Sequence, residues 1–395
     1  MPRKKVVKVT EEELLEVSES ETLTQTELTR SQLTKENLLS SGSKVLDVNC
    51  TDTIDGCFLK GKYYLMVGSS SSGKTWLVMN LYAEAAKHPV FKNYHFVYDG
   101  PEHGNQMDVA YFFGKKTANK INSPFPGRVD KNGNDASDSE SVEDFYDALD
   151  NWLTRAEQEK TGIIYVLDSM DSLSSEAADA YIEDKKKARE SGKEIKTGTY
   201  GDGKAKYNAQ HLRKAVYRLE KSGSILVIIC QEKDDLNGGI YASKTFSGGK
   251  TLTYLATLQL WLKVKGPIVK VINGVNRTLG TATKVIIKKN RLTGMLEKNI
   301  DLSFYHQFGI DDIGDVINFL CEQKYWGISK GKVEFTGIPF GEEEEDKPKV
   351  LSFEKLARYI ESNNYEDYLY AELDKCWKQI KDDIKKAVVR KKRYE

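Results

Sequence analysis

No stretch of this chain is apolar for long enough to cross a bilayer. Residues 1–8 are basic, but no apolar core follows them, so no secretory leader is expected. Cysteine is scarce: the five residues Cys50, Cys57, Cys230, Cys321 and Cys376 form no CxxC pair and no metal-ligand spacing. Their odd number argues against a disulfide framework, and a soluble protein of the reducing cytoplasm is expected. Net charge is also missing, since 59 Lys and Arg balance 59 Asp and Glu. A balanced total gives no overall pull toward nucleic acid or membrane, so any polyanion site must come from local clustering.

The 395 residues suffice for a large core with one or two smaller modules. Residues 1–38 are polar and are expected to form an arm with one short helix and a possible role in oligomerisation. The core is expected over 39–310. Apolar runs at 62–67, 95–98, 163–167 and 225–229 predict strands, the last two covered on both faces as in a parallel sheet. Helices are predicted at 75–87, with Leu77, Val78, Leu81 and Ala85 on one face, and at 142–156, with Phe145, Leu149 and Trp152 on another. Residues 115–141 and 174–203 are polar and are expected as surface insertions. Alternation over 255–263, an Asn273-Gly274 turn and runs at 268–272 and 283–288 predict an antiparallel extension. A small α/β module is expected over 311–395, with an acidic linker at 342–346. Its last helix carries Leu373, Trp377, Ile380, Ile384 and Val388 on one side.

The most specific signal is Gly68-Ser69-Ser70-Ser71-Ser72-Gly73-Lys74-Thr75, which matches GxxxxGK[ST] at every fixed position. It follows a predicted strand and opens a predicted helix. The glycines let several backbone N–H groups converge on phosphate oxygens, and the helix N-terminus adds positive potential. Lys74 would reach the terminal phosphates, and the Thr75 hydroxyl would meet Mg²⁺. A serine-rich turn without a ligand is the bland alternative, and the strand and helix on either side speak against it. The run at 163–167 ends in Asp168, which at the carboxyl edge of a parallel strand would face the same crevice and help hold Mg²⁺. Asp171 is expected as a helix cap or surface residue.

Asp168-Ser169 after a strand, Gln231 closing another, and Ser247-Gly248-Gly249 before a third resemble the RecA-type recombinases. So does the lead-in at 39–47. The likeness covers roughly residues 39–330, and the long insertions and tail look most like the strand-exchange proteins of large bacteriophages. It implies a RecA-like P-loop ATPase core, with ATP and Mg²⁺ as ligands, and single-stranded and double-stranded DNA as partners.

The same resemblance implies residue roles. Glu102, in Asp99-Gly100-Pro101-Glu102-His103, matches the catalytic glutamate that polarises the attacking water. Pro101 lengthens the family spacing by one, which leaves Asp99 as a competitor. Gln231 matches the γ-phosphate sensor. Residues 232–247 would form a mobile DNA loop in which Lys233 and Lys244 meet phosphates, Tyr241 and Phe246 are the aromatics for bases, and Gly248 and Gly249 follow. Asp234 and Asp235 oppose that role. Lys206 and Arg213 match positions that hold the DNA backbone, and a solvated helix face is the alternative. Lys289 and Arg291 match cations that reach the ATP of the neighbouring subunit, with Tyr254 at the same boundary. A sheet edge guarded by lysine is the alternative. The basic tail 385–393 reads either as a nucleic-acid arm or as a solvated helix end.

The expected function is an ATP-dependent DNA recombinase that forms homo-oligomeric filaments on single-stranded DNA and promotes strand exchange. A hexameric helicase motor on the same core, and a nucleotide-binding regulator without turnover, are the alternatives. The short N-terminal region speaks against the first of these, and the Glu102 spacing keeps the second open.

Overall fold

The computed structural model describes residues 31–102, 107–130, 132–134, 136–176, 185–187, 203–234, 244–296, 299–340 and 348–387. Most of the N-terminal arm, the acidic run 342–346, Tyr241 and the tail beyond 387 therefore lie outside the described residues. In chain order the strands are β1 (Leu38–Leu39), β2 (Phe58–Leu59), β3 (Tyr63–Gly68), β4 (His95–Asp99), β5 (Ile121–Asn122), β6 (Ile163–Leu167), β7 (Ile225–Gln231), β8 (Lys233–Asp234), β9 (Lys244–Thr245), β10 (Leu258–Ile272), β11 (Val275–Asn290), β12 (Ile300–Tyr305), β13 (Gly309–Ile310), β14 (Gly327–Ser329), β15 (Lys332–Phe335) and β16 (Lys349–Leu351).

Nine of them build the central sheet in the order β13-β12-β11-β10-β3-β7-β6-β4-β5. The strands from β10 to β5 run parallel to one another, and β11, β12 and β13 extend the sheet antiparallel. The core is thus mixed α/β, with its sheet mostly parallel.

Period-two alternation explains why the central strands read as continuous apolar runs. Tyr64 and Met66 of β3, Ile164 and Val166 of β6, and Val227 and Ile229 of β7 enter one apolar cluster. Their alternates Leu65 and Val67, Tyr165 and Leu167, and Ile228 and Cys230 enter a second on the opposite face. Helix Lys74–Lys87 covers the first face with Leu77, Val78 and Leu81. Helices Val142–Glu159 and Gly203–Ser222 cover the other with Phe145, Leu149, Leu212 and Leu219. Two-sided burial leaves the strands only one register, because a one-residue slip would exchange the two faces.

Three expectations change. Residues 115–141 are not merely a surface insertion: Ile121–Asn122 pairs with β4 as the edge strand, and Pro124 accepts the Trp152 Nε1–H at 3.0 Å. Residues 250–255 are helical, so the strand expected from 255 begins at Leu258. The separate runs at 268–272 and 283–288 are the far parts of two long strands, β10 and β11, joined at Asn273-Gly274. Helices Asp312–Glu322 and Glu366–Ala387 contribute Val316, Ile317, Leu373 and Trp377 to the same apolar cluster as β3 and β6. Among the described residues no helix is long and apolar enough to cross a membrane.

Ile228 is fully buried in β7, one of the two central strands of the six-stranded parallel set. Ile228→Ala should cost roughly 2–5 kcal/mol, read as a lower denaturant midpoint with little change of slope.

Candidate nucleotide site

Parallel pairing brings several chain-distant positions to one edge of the sheet. Gly68 at the end of β3 lies opposite Gln231 at the end of β7, and Asp99 at the end of β4 lies opposite Leu167, just before Asp168. Outside the carboxyl ends of such strands is where an open α/β sheet offers a crevice. Here it is a cleft of about 470 Å³ lined by Ser71, Ser72, Gly73, Lys74, Thr75, Glu102 and Asp168 among others.

The loop at 68–75 is shaped by close approach. A Cβ on Gly68 would sit 2.5 Å from the Leu262 carbonyl oxygen, and one on Gly73, at φ 90, would sit 2.5 Å from the Phe304 ring. Only glycine fits either place. The helix that starts at Lys74 has no side-chain cap at its N-terminus, so its first N–H groups face the cleft as an anion site. The Lys74 ammonium folds back over the loop and donates to the carbonyls of Gly68 at 2.9 Å and Ser69 at 2.7 Å. Burial holds its pKa below the usual lysine value, against the pull of Asp168, Glu102 and Asp171.

Thr75 Oγ1 donates to Asp168 Oδ2 at 2.8 Å, and the Tyr98 hydroxyl donates to the same oxygen at 3.0 Å. Burial raises the Asp168 pKa, and these two hydrogen bonds lower it. A hydroxyl and a carboxylate this close, beside a lysine and a glycine cradle, fit a triphosphate with a divalent cation. Thr75 and Asp168 would hold the cation, directly or through water.

The two acidic candidates near β4 separate cleanly. Asp99 is fully buried, and it accepts from Ser139 N at 3.0 Å, Ser139 Oγ at 2.6 Å and the Tyr165 hydroxyl at 2.8 Å. It faces the interior, and burial pushes its pKa up to about 6. Glu102 lines the cleft. Its Oε1 accepts from Ser169 Oγ at 2.6 Å and from Gln231 Nε2 at 2.8 Å. Of these two, the one on the cleft is thus Glu102, beside the strand-end glutamine.

Asp171 is neither a helix cap nor a surface residue. Its side chain is 6% exposed, pairs with Lys233 and accepts the Gln231 backbone N–H. Nothing local in the sequence marks it, because its partners lie 60 residues away. Trp76, Met107, Phe304 and His306 also line the cleft without having been expected there. They arrive from β12 and from the segments after the phosphate loop and after Glu102.

The remaining candidates lie elsewhere. Lys289 Nζ donates to the carbonyls of Thr253 at 2.6 Å and Tyr254 at 2.8 Å, and Arg291 Nη2 donates to Tyr254 at 2.7 Å. Burial and then the Arg291 charge bring the Lys289 pKa down to about 8. Lys289 pairs with Gln259, which pairs with Leu65. Neither cation is among the residues that line this chain's own cleft, and both are held at the end of helix Lys250–Leu255. Tyr254 is exposed. Lys206 and Arg213 are exposed two turns apart on helix Gly203–Ser222. Lys233 and Lys244 sit on the paired strands β8 and β9, where Lys244 is bound to Asp234. Phe246 is half-buried with its ring edge-on to Trp261, so it packs inward instead of standing free. Gly248 packs on helix Gly203–Ser222, its carbonyl accepting from buried Asn208 at 2.9 Å, and Gly249 approaches Ala205 of the same helix.

No family model matches the chain. Curated relatives do. Protein RecA of Cytophaga hutchinsonii is 24% identical over 289 residues, 72% of this chain and 68% of that protein. Protein RecA of Chlorobaculum parvum is 26% identical over 297 residues, 74% and 71% of the two chains. Protein RecA of Ehrlichia canis is 23% identical over 331 residues, 82% and 79%.

Asp99 supplies a pH test of the cleft wall. Its folded pKa, about 6, lies above the ordinary 3.8. The folded state therefore holds the proton more tightly, and that contribution to stability is full below pH 3.8 and lost as pH rises through about 6. Asp99→Asn should remove this fall, so wild-type stability minus variant stability should decline over that window in denaturant titrations.

Proposed function

We propose that this chain, a member of the RecA-type recombinase family with a RecA-like core, hydrolyses ATP in a DNA-dependent way while assembled as a filament on single-stranded DNA. Homologous pairing with duplex DNA is the activity this assembly serves. One observation carries the reading: Glu102 accepts a hydrogen bond from Gln231 at 2.8 Å within reach of a phosphate loop built at 68–75.

In hydrolysis, water attacks the γ-phosphorus and the bond to the β–γ bridging oxygen breaks. ADP leaves, and the water proton passes to Glu102. Lys74 and the loop N–H groups stabilise the charge that builds on the phosphate oxygens. Thr75 and Asp168 would hold a divalent cation, which would supply further neutralisation there. Gln231 has one side-chain amide to share between Glu102 and a terminal phosphate. Loss of that phosphate frees the amide and alters the strand end from which Lys233 follows.

Lys289 and Arg291 belong to the assembly. They stand away from their own cleft but close to exposed Tyr254, so the nucleotide they serve is a neighbour's. Turnover then requires adjacent subunits. Lys206, Arg213, Lys233 and Lys244 supply cations to the DNA backbone.

ATPase assays with and without single-stranded DNA, beside negative-stain images, test this. DNA should raise turnover, and helical filaments should form. Turnover indifferent to DNA would sink the reading. Closed rings would point to a helicase motor, and binding without turnover to a regulator. Lys74→Ala and Glu102→Gln should each lower kcat by about 10²-fold or more. Lys289→Ala should lower turnover at saturating DNA while leaving ATP binding by the isolated subunit intact.

A further inference from the structure

Asp171 joins two parts of the molecule that the proposed mechanism leaves unconnected. It lies three residues beyond Asp168, in the loop after β6, with its side chain 6% exposed. Oδ2 accepts the Gln231 backbone N–H at 2.6 Å. Oδ1 lies 2.9 Å from Lys233 Nζ. The same ammonium donates to Ser247 Oγ at 2.6 Å. Lys233 opens β8 and Ser247 follows β9, so this cation ties the outgoing strand to the returning one.

The residue between them is fixed as well. Glu232 donates its N–H to the Gly68 carbonyl at 3.1 Å, the same carbonyl that accepts from Lys74. Residues 231–233 are therefore anchored in succession to Glu102, to the phosphate loop and to Asp171. A carboxylate this buried is stable only with its counter-charge and its hydrogen bonds in place. Lys233, by contrast, has a side chain 50% exposed, open to a competing anion.

We propose that Asp171 is a positioning residue: it clasps the Gln231 backbone and the Lys233 cation together, and so sets Gln231 against Glu102 while withholding Lys233 from nucleic-acid phosphate. The inference rests on the nucleic-acid reading above. A phosphate that takes Lys233 leaves the buried carboxylate with the Gln231 N–H, with Lys204, whose ammonium donates to the Asp171 carbonyl at 3.2 Å, and with Lys74's charge, but without the cation at Oδ1. The clasp loosens, and the Gln231 backbone is released from one of its anchors. Coupling of this kind is reciprocal, so any shift of Gln231 also changes how readily Lys233 is given up.

Asp171→Asn keeps an oxygen for the Gln231 N–H but drops the charge, whereas Asp171→Ala removes both. Binding of a fluorescent oligothymidine, measured across salt concentrations, should be about 3- to 10-fold tighter for Asp171→Asn. Its log–log salt slope should be steeper by about 0.7, one more phosphate contact on a single strand. Asp171→Ala should also lower kcat for ATP by roughly tenfold with KM little changed, the mark of a misplaced transition-state group. Without nucleic acid, amide exchange at Gln231 should quicken in Asp171→Ala but not in Asp171→Asn. Ser247→Ala leaves the carboxylate intact and should raise affinity in the same direction, which keeps the test decisive if Asp171→Ala does not fold. Unchanged affinity and slope in both Asp171→Asn and Ser247→Ala would overturn the withholding of Lys233. Unchanged Gln231 exchange in Asp171→Ala would overturn the clasp alone. A wild-type chain that binds no oligonucleotide overturns the nucleic-acid reading and the phosphate half of this proposal with it, while the exchange comparison still decides the clasp.

Discussion

Gly68 and Gln231 face each other at the ends of β3 and β7, and Leu167, the residue before Asp168, pairs with Ile228, three residues short of Gln231. That alignment follows from burial. β3, β6 and β7 feed alternate side chains into two separate apolar clusters, and a shift by one residue would put each set on the wrong side. A slip would keep these side chains in apolar surroundings but set each against neighbours shaped for the opposite set, and such misfits cost about 1–3 kcal/mol apiece. The sheet therefore dictates where the polar residues stand, and the cleft inherits its geometry from the core.

The polar groups then fix one another. Asp168 takes two hydroxyl hydrogen bonds on one oxygen, from Thr75 and Tyr98, which links β6 to the helix after the phosphate loop and to β4. Asp99, one strand over, is locked to Ser139 and Tyr165 and acts as a brace. Two carboxylates that end neighbouring strands thus differ in role because one is surrounded by interior donors and the other opens on the cleft. Burial raises the pKa of both, so a perturbed carboxyl is not by itself a catalytic sign. Placement decides.

Much of this was legible in the sequence, and the boundary is physical. The phosphate loop is a local motif: its glycines, lysine and threonine are adjacent in the chain, and the flanking strand and helix carry their own periodicities. Asp168 was legible because a strand end is a local event. The bracing of Asp99 was not, since Ser139 comes 40 residues later from a stretch whose polarity reads as surface. That polarity misled for a specific reason. Residues 115–141 are polar, yet they supply the short edge strand Ile121–Asn122, whose side chains are only half-buried and leave no apolar run. Asp171 was missed because a lone acid after a strand looks the same whether it caps a turn or meets a lysine 62 residues on. The intrachain partners of Lys289 and Arg291, the carbonyls at the end of helix Lys250–Leu255, were hidden likewise, since a helix end leaves no signature for the cations that cap it.

The formal charge of zero also takes on a different meaning beside the contacts the cations make within the chain. From 258 to 290 the chain carries Lys263, Lys265, Lys270, Arg277, Lys284, Lys288 and Lys289 and no acidic residue. Several of these cations are engaged within the molecule: Lys265 with Asp301, Lys270 with Glu354, and Lys288 over the Trp261 ring. Exposed ion pairs of this kind contribute roughly 0–1 kcal/mol, so a phosphate can replace the carboxylate at little cost. Lys74 differs. It is 8% exposed and bound to two carbonyls, and an ammonium so placed needs an anion or acceptors of comparable strength at all times. A balanced total thus conceals a locally basic strand pair whose cations are held by weak surface interactions, whereas Lys74 is kept in place by the loop itself.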